Sequence, residues 1–137
     1  MYRIVDNKGK TYSQYTYTQE SEFEKMIVAN IDSIFGKDGI YFDIKKLIGK
    51  PKKGATIPDG YYLDLTFHTD PRLYLVEVEL NSHDVYGHIG EQILRFGIST
   101  ETDKYKIKNL LLSAINEDLE KKQSVEEVFF KFEVQQY

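Results

Sequence analysis

The sequence predicts an α/β fold with a mixed central β-sheet flanked by helices, and two observations support this class. First, β-favouring runs bounded by turn residues alternate with stretches whose apolar residues recur every three or four positions, the helical period. Second, the segments follow one another as hairpin, helix, strand, hairpin, helix, helix and strand, an order typical of one sheet covered by helices. The 137 residues suit a single domain spanning 1–137, with the hairpin at 1–17 interpreted as an elaboration of it.

Composition restricts the class of protein. Apolar residues make up 41% of the chain and charged residues 29%, a balance typical of globular proteins. No apolar run approaches the roughly 20 residues that a membrane-spanning helix needs, and the first residues lack the apolar core of a signal peptide. The absence of cysteine excludes disulfides and thiolate metal sites. The composition therefore favours a cytoplasmic protein with no membrane partner.

A basic stretch lies inside a chain whose formal net charge is −4. That net charge argues against a nucleic-acid partner, but the distribution of charge matters more than its sum. Glycine and proline between the lysines indicate a loop, which is either merely solvated or contacts phosphates beside an acidic site. The lysines are Lys45, Lys46, Lys50, Lys52 and Lys53, of which the last three are the candidate nucleic-acid-binding residues.

The first third of the chain predicts a hairpin and then a long helix. Turn residues separate two β-favouring runs within 1–17. Thr18 is a candidate N-cap and Gly36 a stop signal, so a helix is expected between them. Two acids, Glu20 and Glu24, flank the apolar face of this helix, which is unusual for a buried stripe. That face is formed by Phe23, Ile27, Ile31 and Ile34.

The rest of the chain predicts a strand, a second hairpin, two helices and a final segment. Asp70 and Pro71 supply the turn of the hairpin, Ser82 caps the helix that follows it, and Gly97 ends that helix. Alternation of apolar residues in the final segment favours a strand, with a helix as the alternative. The expected elements are a strand at 39–44, strands at 61–67 and 73–80, helices at 83–96 and 103–122, and a strand at 125–134.

Two carboxylates on the second strand of this hairpin carry the strongest chemical signal. Glu77 and Glu79 are two residues apart, so their side chains project from the same face of a strand that reads as a buried central one. Neighbouring buried carboxylates repel each other, and one stays protonated unless a cation compensates them. Oxygen-only ligands suit Mg²⁺ or Mn²⁺. The alternative is an edge strand whose glutamates face water.

An aspartate from the preceding segment completes the predicted cluster. Asp59, within Pro58-Asp59-Gly60, lies at the mouth of the hairpin, and Asp64 is expected roughly opposite Glu77. Either aspartate could join Glu77 in holding a metal. Pro-Asp-Gly is also ordinary turn chemistry, and its position before the Glu-x-Glu strand is what gives it significance.

With these residues in order, the chain resembles the PD-(D/E)XK nuclease superfamily over about 20–96. The resemblance rests on Pro58-Asp59, on Glu77-Val78-Glu79, on an acid in the first helix, and on Gln92 in the helix after the strand. It implies a restriction-endonuclease-like core and a metal-dependent nuclease acting on nucleic acid, with DNA expected. It leaves the oligomeric state open, although many relatives act as homodimers.

The resemblance also implies roles for individual residues. Asp59 and Glu77 would hold Mg²⁺ or Mn²⁺, Glu24 would hydrogen-bond water at the metal, and Gln92 would fix the geometry of a water or a phosphate. The third motif position is usually lysine and here is Glu79, which would orient or deprotonate the attacking water or join a second metal. This departure keeps a second hypothesis open: a catalytically inactive relative that binds nucleic acid or a protein partner. His88 shares a helix face with Gln92 and is equally well explained as a structural histidine.

Overall fold

The computed structural model describes residues 3–49, 55–67, 69–80 and 85–135, and in the last range the side chains of 86–127. The architecture is α+β, with two small sheets and four helices in these ranges. The strands are β1 (Arg3–Val5), β2 (Thr11–Ser13), β3 (Gly39–Phe42), β4 (Gly60–Asp64) and β5 (Arg72–Val76). The helices are α1 (Glu20–Ala29), α2 (Ile31–Phe35), α3 (Val85–Glu117) and α4 (Leu119–Gln135).

The predicted N-terminal hairpin is confirmed. Strands β1 and β2 pair in antiparallel fashion, with Ile4 opposite Tyr12. The carboxylate of Asp6 accepts hydrogen bonds from the backbone N–H groups of Lys8 and Lys10, both at 2.9 Å, which closes the turn between the strands. All six strand residues are exposed, so this hairpin contributes no side chain to the core.

The second sheet has the order β3-β4-β5, and both of its strand pairs are antiparallel. The predicted hairpin of β4 and β5 is confirmed, but the described residues contain no parallel pair, so a mixed sheet is not shown. The prediction of a central strand over 73–80 is wrong. Strand β5 ends at Val76 and lies at an edge of the described sheet, whereas β4 is central. Glu77 and Glu79 therefore lie just beyond the strand.

Each face of this sheet is covered by different helices, because successive side chains of a strand point to opposite sides. Tyr61 belongs to the main core with Ile107 and Leu111 from α3. Its neighbour Tyr62 lies on the other face, where Phe23 from α1 packs. The sheet is thus a layer between α1 and α3.

The helix boundaries differ from those predicted. The helix expected between Thr18 and Gly36 is two helices separated at Asn30, with Gln19 as the N-cap, although Gly36 does end the second. Gly97 does not end a helix, because α3 continues through it. Instead α3 consists of two helical segments that meet at a kink at Asp103, the residue where the second helix was predicted to begin. In the described ranges, no helix combines the length and apolarity that crossing a membrane requires.

The strand expected at 125–134 is wrong, because α4 covers these residues. Asp118 explains the difference. Its Oδ1 atom accepts hydrogen bonds from the backbone N–H groups of Glu120 and Lys121, at 3.1 and 3.2 Å, and so caps α4. The same residue interrupts the helix expected to reach Lys122. Packing of Val125 against the main core then holds the helix in place.

A glycine beside the basic stretch of lysines provides a test of how this part of the chain packs against α3. Gly49 has a φ of 81° and its N–H donates to Asp103 Oδ2 at 2.8 Å. A Cβ atom there would lie 2.4 Å from the hydroxyl of Ser99, a residue with 0% exposure. We expect Gly49→Ala to lower the free energy of unfolding by about 2–4 kcal/mol, since left-handed strain and overpacking add.

Urea denaturation would measure this loss, and Gly9 is the matched control. Its φ is 78°, almost the same, but a Cβ atom there would meet nothing within 4 Å. Gly9→Ala should therefore cost only about 1–2 kcal/mol, the strain alone. Equal losses for Gly9→Ala and Gly49→Ala would contradict the packing argument.

Candidate metal centre

Asp59 joins the two ends of the β4–β5 hairpin. Its backbone N–H donates to the carbonyl of Val76 at 3.1 Å, and its Oδ2 atom accepts from the N–H of Val78 at 2.8 Å. Asp59 is therefore attached to the short segment that carries Glu77 and Glu79. Proximity of Asp59 to this segment, one of the two alternatives from the sequence, is confirmed.

The alternative that Asp64 lies opposite Glu77 is wrong. The register pairs Asp64 with Arg72, at the far end of the hairpin, and pairs Gly60 with Val76. The sequence argument assumed a turn centred near Asp70. The observed partner of Asp64 lies four positions earlier in the sequence than a turn centred on Asp70 requires, so the register is shifted and Glu77 lies beyond the paired residues. Asp64 instead accepts a hydrogen bond from the N–H of Thr66 at 2.9 Å.

The residues around Asp59 are fixed by packing rather than by turn chemistry. Pro58 is fully buried, and a Cβ atom on Gly60 would lie 2.2 Å from the hydroxyl of Tyr41. Only glycine leaves room for this ring. Burial, together with the nearby charges of Asp43 and Asp59, raises the pKa of Tyr41 to about 12, so its hydroxyl stays neutral beside the acids.

Glu77 is held by a chain of hydrogen bonds from α3. The Nε2 atom of Gln92 donates to Glu77 Oε1 at 3.0 Å, and Gln92 Oε1 accepts from the hydroxyl of Thr56 at 2.8 Å. The other oxygen, Glu77 Oε2, is buried and accepts no hydrogen bond from the described residues. Burial first, then the charges of Asp59 and Glu79, raise the pKa of Glu77 to about 7.

Glu79 is also withdrawn from solvent. Its side chain is 11% exposed, and Oε2 lies 3.8 Å from Nδ1 of His88 on α3. Glu77 and Glu79 therefore do not face bulk water, and the alternative of two solvated surface acids is wrong. Because Glu77 lies beyond the end of an edge strand, its burial comes from the covering helix rather than from a central position in the sheet.

An ion pair completes the polar cluster from the side of α1. The ammonium of Lys45 lies 2.5 Å from Glu24 Oε2 and 3.4 Å from Asp59 Oδ1. The hydrogen bond to Glu24 is the main cause that raises the pKa of Lys45, so this lysine is charged. Of the two first-helix acids predicted, Glu24 thus contacts the cluster directly, while the charge of Glu20 contributes to the raised pKa of Glu77.

Sequence reasoning assigned Lys45 to the basic loop and missed its position here. The signal that could have found it is strand pairing. Phe42 lies opposite Tyr61 in the antiparallel pair β3–β4, so residues after β3 run beside residues before β4. The candidate nucleic-acid-binding residues Lys50, Lys52 and Lys53 lie outside the described residues, and their role stays a prediction.

The chemistry of the candidate ligand atoms suits a hard divalent cation. All candidate ligands are carboxylate oxygens, the type that Mg²⁺ and Mn²⁺ prefer, and the buried Glu77 Oε2 has no donor from the described residues. As the side chains stand, no three acids or histidines within the described ranges form a group with metal-binding geometry. Asp59 and Glu77 are the residues that could hold an ion.

Comparison with protein-family models, with curated proteins and with solved structures finds no match to this chain.

Proposed function

We propose that this chain is a metal-dependent nuclease domain of the PD-(D/E)XK type, which hydrolyses phosphodiester bonds in nucleic acid, with DNA as the expected substrate. The observation that carries the proposal is the Glu77 carboxylate. One of its oxygens is buried without a donor from the described residues, its pKa is raised to about 7, and Gln92 holds the other oxygen in place. A fold keeps such a costly group where a bound cation compensates it.

The order of the elements supports a restriction-endonuclease-like core. Helix α1 carries Glu24, the β4–β5 hairpin follows with Asp59 before it and Glu77 after it, and α3 then carries Gln92. Lys45 joins Glu24 to Asp59, and Gln92 donates to Glu77. The two groups meet where the N–H of Val78, the residue after Glu77, donates to Asp59.

In the proposed mechanism, Asp59 and Glu77 would hold Mg²⁺ or Mn²⁺. The ion would supply positive charge that offsets the charge growing on the phosphate and makes the attacking water more acidic. Glu79, which stands at the third motif position of the resemblance, would accept a proton from that water. Gln92 fixes the rotamer of Glu77 through its amide, and Thr56 fixes the orientation of that amide.

One observation favours a second candidate function, a catalytically inactive domain that binds nucleic acid or a protein partner. It is the lack, within the described ranges, of three acids in metal-binding geometry. The two candidates make different predictions, because only the first requires a metal ion for a chemical step. The second predicts binding that is independent of Glu77.

A plasmid-nicking assay tests the proposal directly. Wild type should convert supercoiled plasmid to nicked or linear forms with Mg²⁺ or Mn²⁺, and should not do so with EDTA. We expect Glu77→Ala to lower the rate at least about 100-fold, because a ligand at the site of charge development is lost. Glu91→Ala is the matched control, since this exposed glutamate of α3 forms its ion pair within the described ranges with Arg95, one turn along the helix. Cleavage that survives Glu77→Ala would remove Glu77 from the mechanism.

A further inference from the structure

We propose that Lys45, anchored by Glu24, is the phosphate-binding residue of the candidate metal centre. This inference rests on the proposed function and deepens it, because it names the group that brings a polyanionic substrate to an acidic site. Lys45 comes from the segment after β3, outside the residues on which the nuclease resemblance depends.

Charge is the first argument. Glu24, Asp59, Glu77 and Glu79 collect at one end of the sheet, and their negative charges repel a phosphodiester that approaches them. One divalent cation offsets only two of these charges. Among the described residues, Lys45 is the lysine that contacts Glu24 and Asp59, so it supplies positive charge at this end of the sheet.

The geometry of the ion pair is the second argument. The contact of Lys45 with Glu24 is short, at 2.5 Å, whereas its contact with Asp59 is long, at 3.4 Å. An ammonium has three N–H donors, and these two carboxylates engage two of them. The side chain of Lys45 is 45% exposed, so the third donor is accessible from solvent. Glu24 thus fixes the ammonium beside Asp59, with a donor available for an oxygen of the substrate.

The oxygens of Asp59 give a third argument. Oδ2 accepts the N–H of Val78, and Oδ1 is the atom nearest to Lys45. A cation held by Asp59 would use Oδ1, and the long contact with Lys45 is the one that would yield. Lys45 would remain attached to Glu24 and would turn its released donor towards a phosphate oxygen at the same place.

Binding measurements on substituted proteins test this inference. A fluorescein-labelled DNA duplex is titrated with protein in the presence of Ca²⁺ and followed by anisotropy at several salt concentrations. We expect Lys45→Met to weaken binding about tenfold and to reduce the salt slope by about one, since one charged contact with phosphate is lost. Lys45→Arg should retain most of the affinity. Mn²⁺ binding, measured by calorimetry, should be at least as tight in Lys45→Met as in wild type.

Lys46→Met is the matched control, because Lys46 is the next residue and faces a separate groove beside Lys106 and Asn109. It should change the affinity for DNA much less than Lys45→Met. If wild type binds Mn²⁺ and DNA but the two lysine variants behave alike, the role of Lys45 is overturned and the proposed function stands. If wild type binds neither Mn²⁺ nor DNA, the proposed function itself fails, and the inference with it.

Discussion

Replacing Glu77 with glutamine is expected to abolish metal-dependent cleavage and, at the same time, to make the metal-free protein more stable above pH 7. Glutamine keeps the size of the side chain and an oxygen that accepts the N–H of Gln92. It removes the charge that the fold buries beside Asp59 and Glu79. Cleavage should fall at least about 100-fold, because the candidate metal loses an anionic ligand.

The expected pH dependence follows from the direction of the pKa shift. Burial and neighbouring acids raise the pKa of Glu77 in the folded protein to about 7, from an ordinary value of 4.5. Below the ordinary value the carboxyl group is protonated in both states, and Glu77 carries no penalty. Between the two values the unfolded chain releases the proton and the folded chain keeps it, so the free energy of unfolding falls as pH rises. Above pH 7 the penalty is complete, at about 2–3 kcal/mol.

Urea denaturation in EDTA at pH 5 and pH 8 measures this effect. Glu77→Gln should be more stable than wild type by about 2–3 kcal/mol at pH 8, and by much less at pH 5. Mn²⁺ at pH 8 should stabilise wild type and leave the variant unchanged, because a ligand that binds only the folded state stabilises it. The exposed control Glu91→Gln should show neither effect. A Glu77→Gln variant less stable than wild type at pH 8 would instead make Glu77 a structural carboxylate.

The sequence predicted those parts of the fold that depend on local chemistry. The hairpins formed where turn residues separate β-favouring runs, and Gly36 ended a helix as expected. The type of the segment at 125–134 was not predictable from its alternating apolar residues, since a helix can carry the same residues. Asp118 favours a helix here because its side chain caps α4. The contribution of such a cap depends on how the helix packs, which is not visible in the sequence.

The residues of the candidate site were likewise predictable only where a short sequence motif contains them. Asp59, Glu77 and Gln92 were found because their motif is local or closely spaced, and the structure brings them together at one end of the β4–β5 hairpin. Lys45 could not be found in this way, because its contacts with Glu24 and Asp59 depend on the register between β3 and β4. The burial of Glu77 was predicted for the wrong reason. A central strand was expected, whereas the cover comes from α3 and its Gln92.

The second large effect is expected at Asp59, where two substitutions separate a structural role from a catalytic one. Asp59→Ala leaves the buried N–H of Val78 without its acceptor, so we expect a loss of about 1–3 kcal/mol in the free energy of unfolding, and loss of cleavage as well. Asp59→Asn keeps an oxygen for that N–H but lacks the negative charge. It should fold nearly as stably as wild type and still cleave at least about 100-fold more slowly.

Asp64→Asn provides the comparison at the other end of the same strand. Asp64 lies opposite Arg72 and its carboxylate caps the turn at Thr66, so its charge is remote from Glu77. Cleavage by Asp64→Asn should stay within about twofold of wild type, since a charge screened by solvent contributes little at that distance. Stability is read from urea denaturation and cleavage from plasmid nicking with Mn²⁺. If Asp59→Asn and Asp64→Asn lose activity equally, or if neither variant loses any, the carboxylate of Asp59 serves only to stabilise the hairpin. The charge that compensates Glu77 must then come from another group.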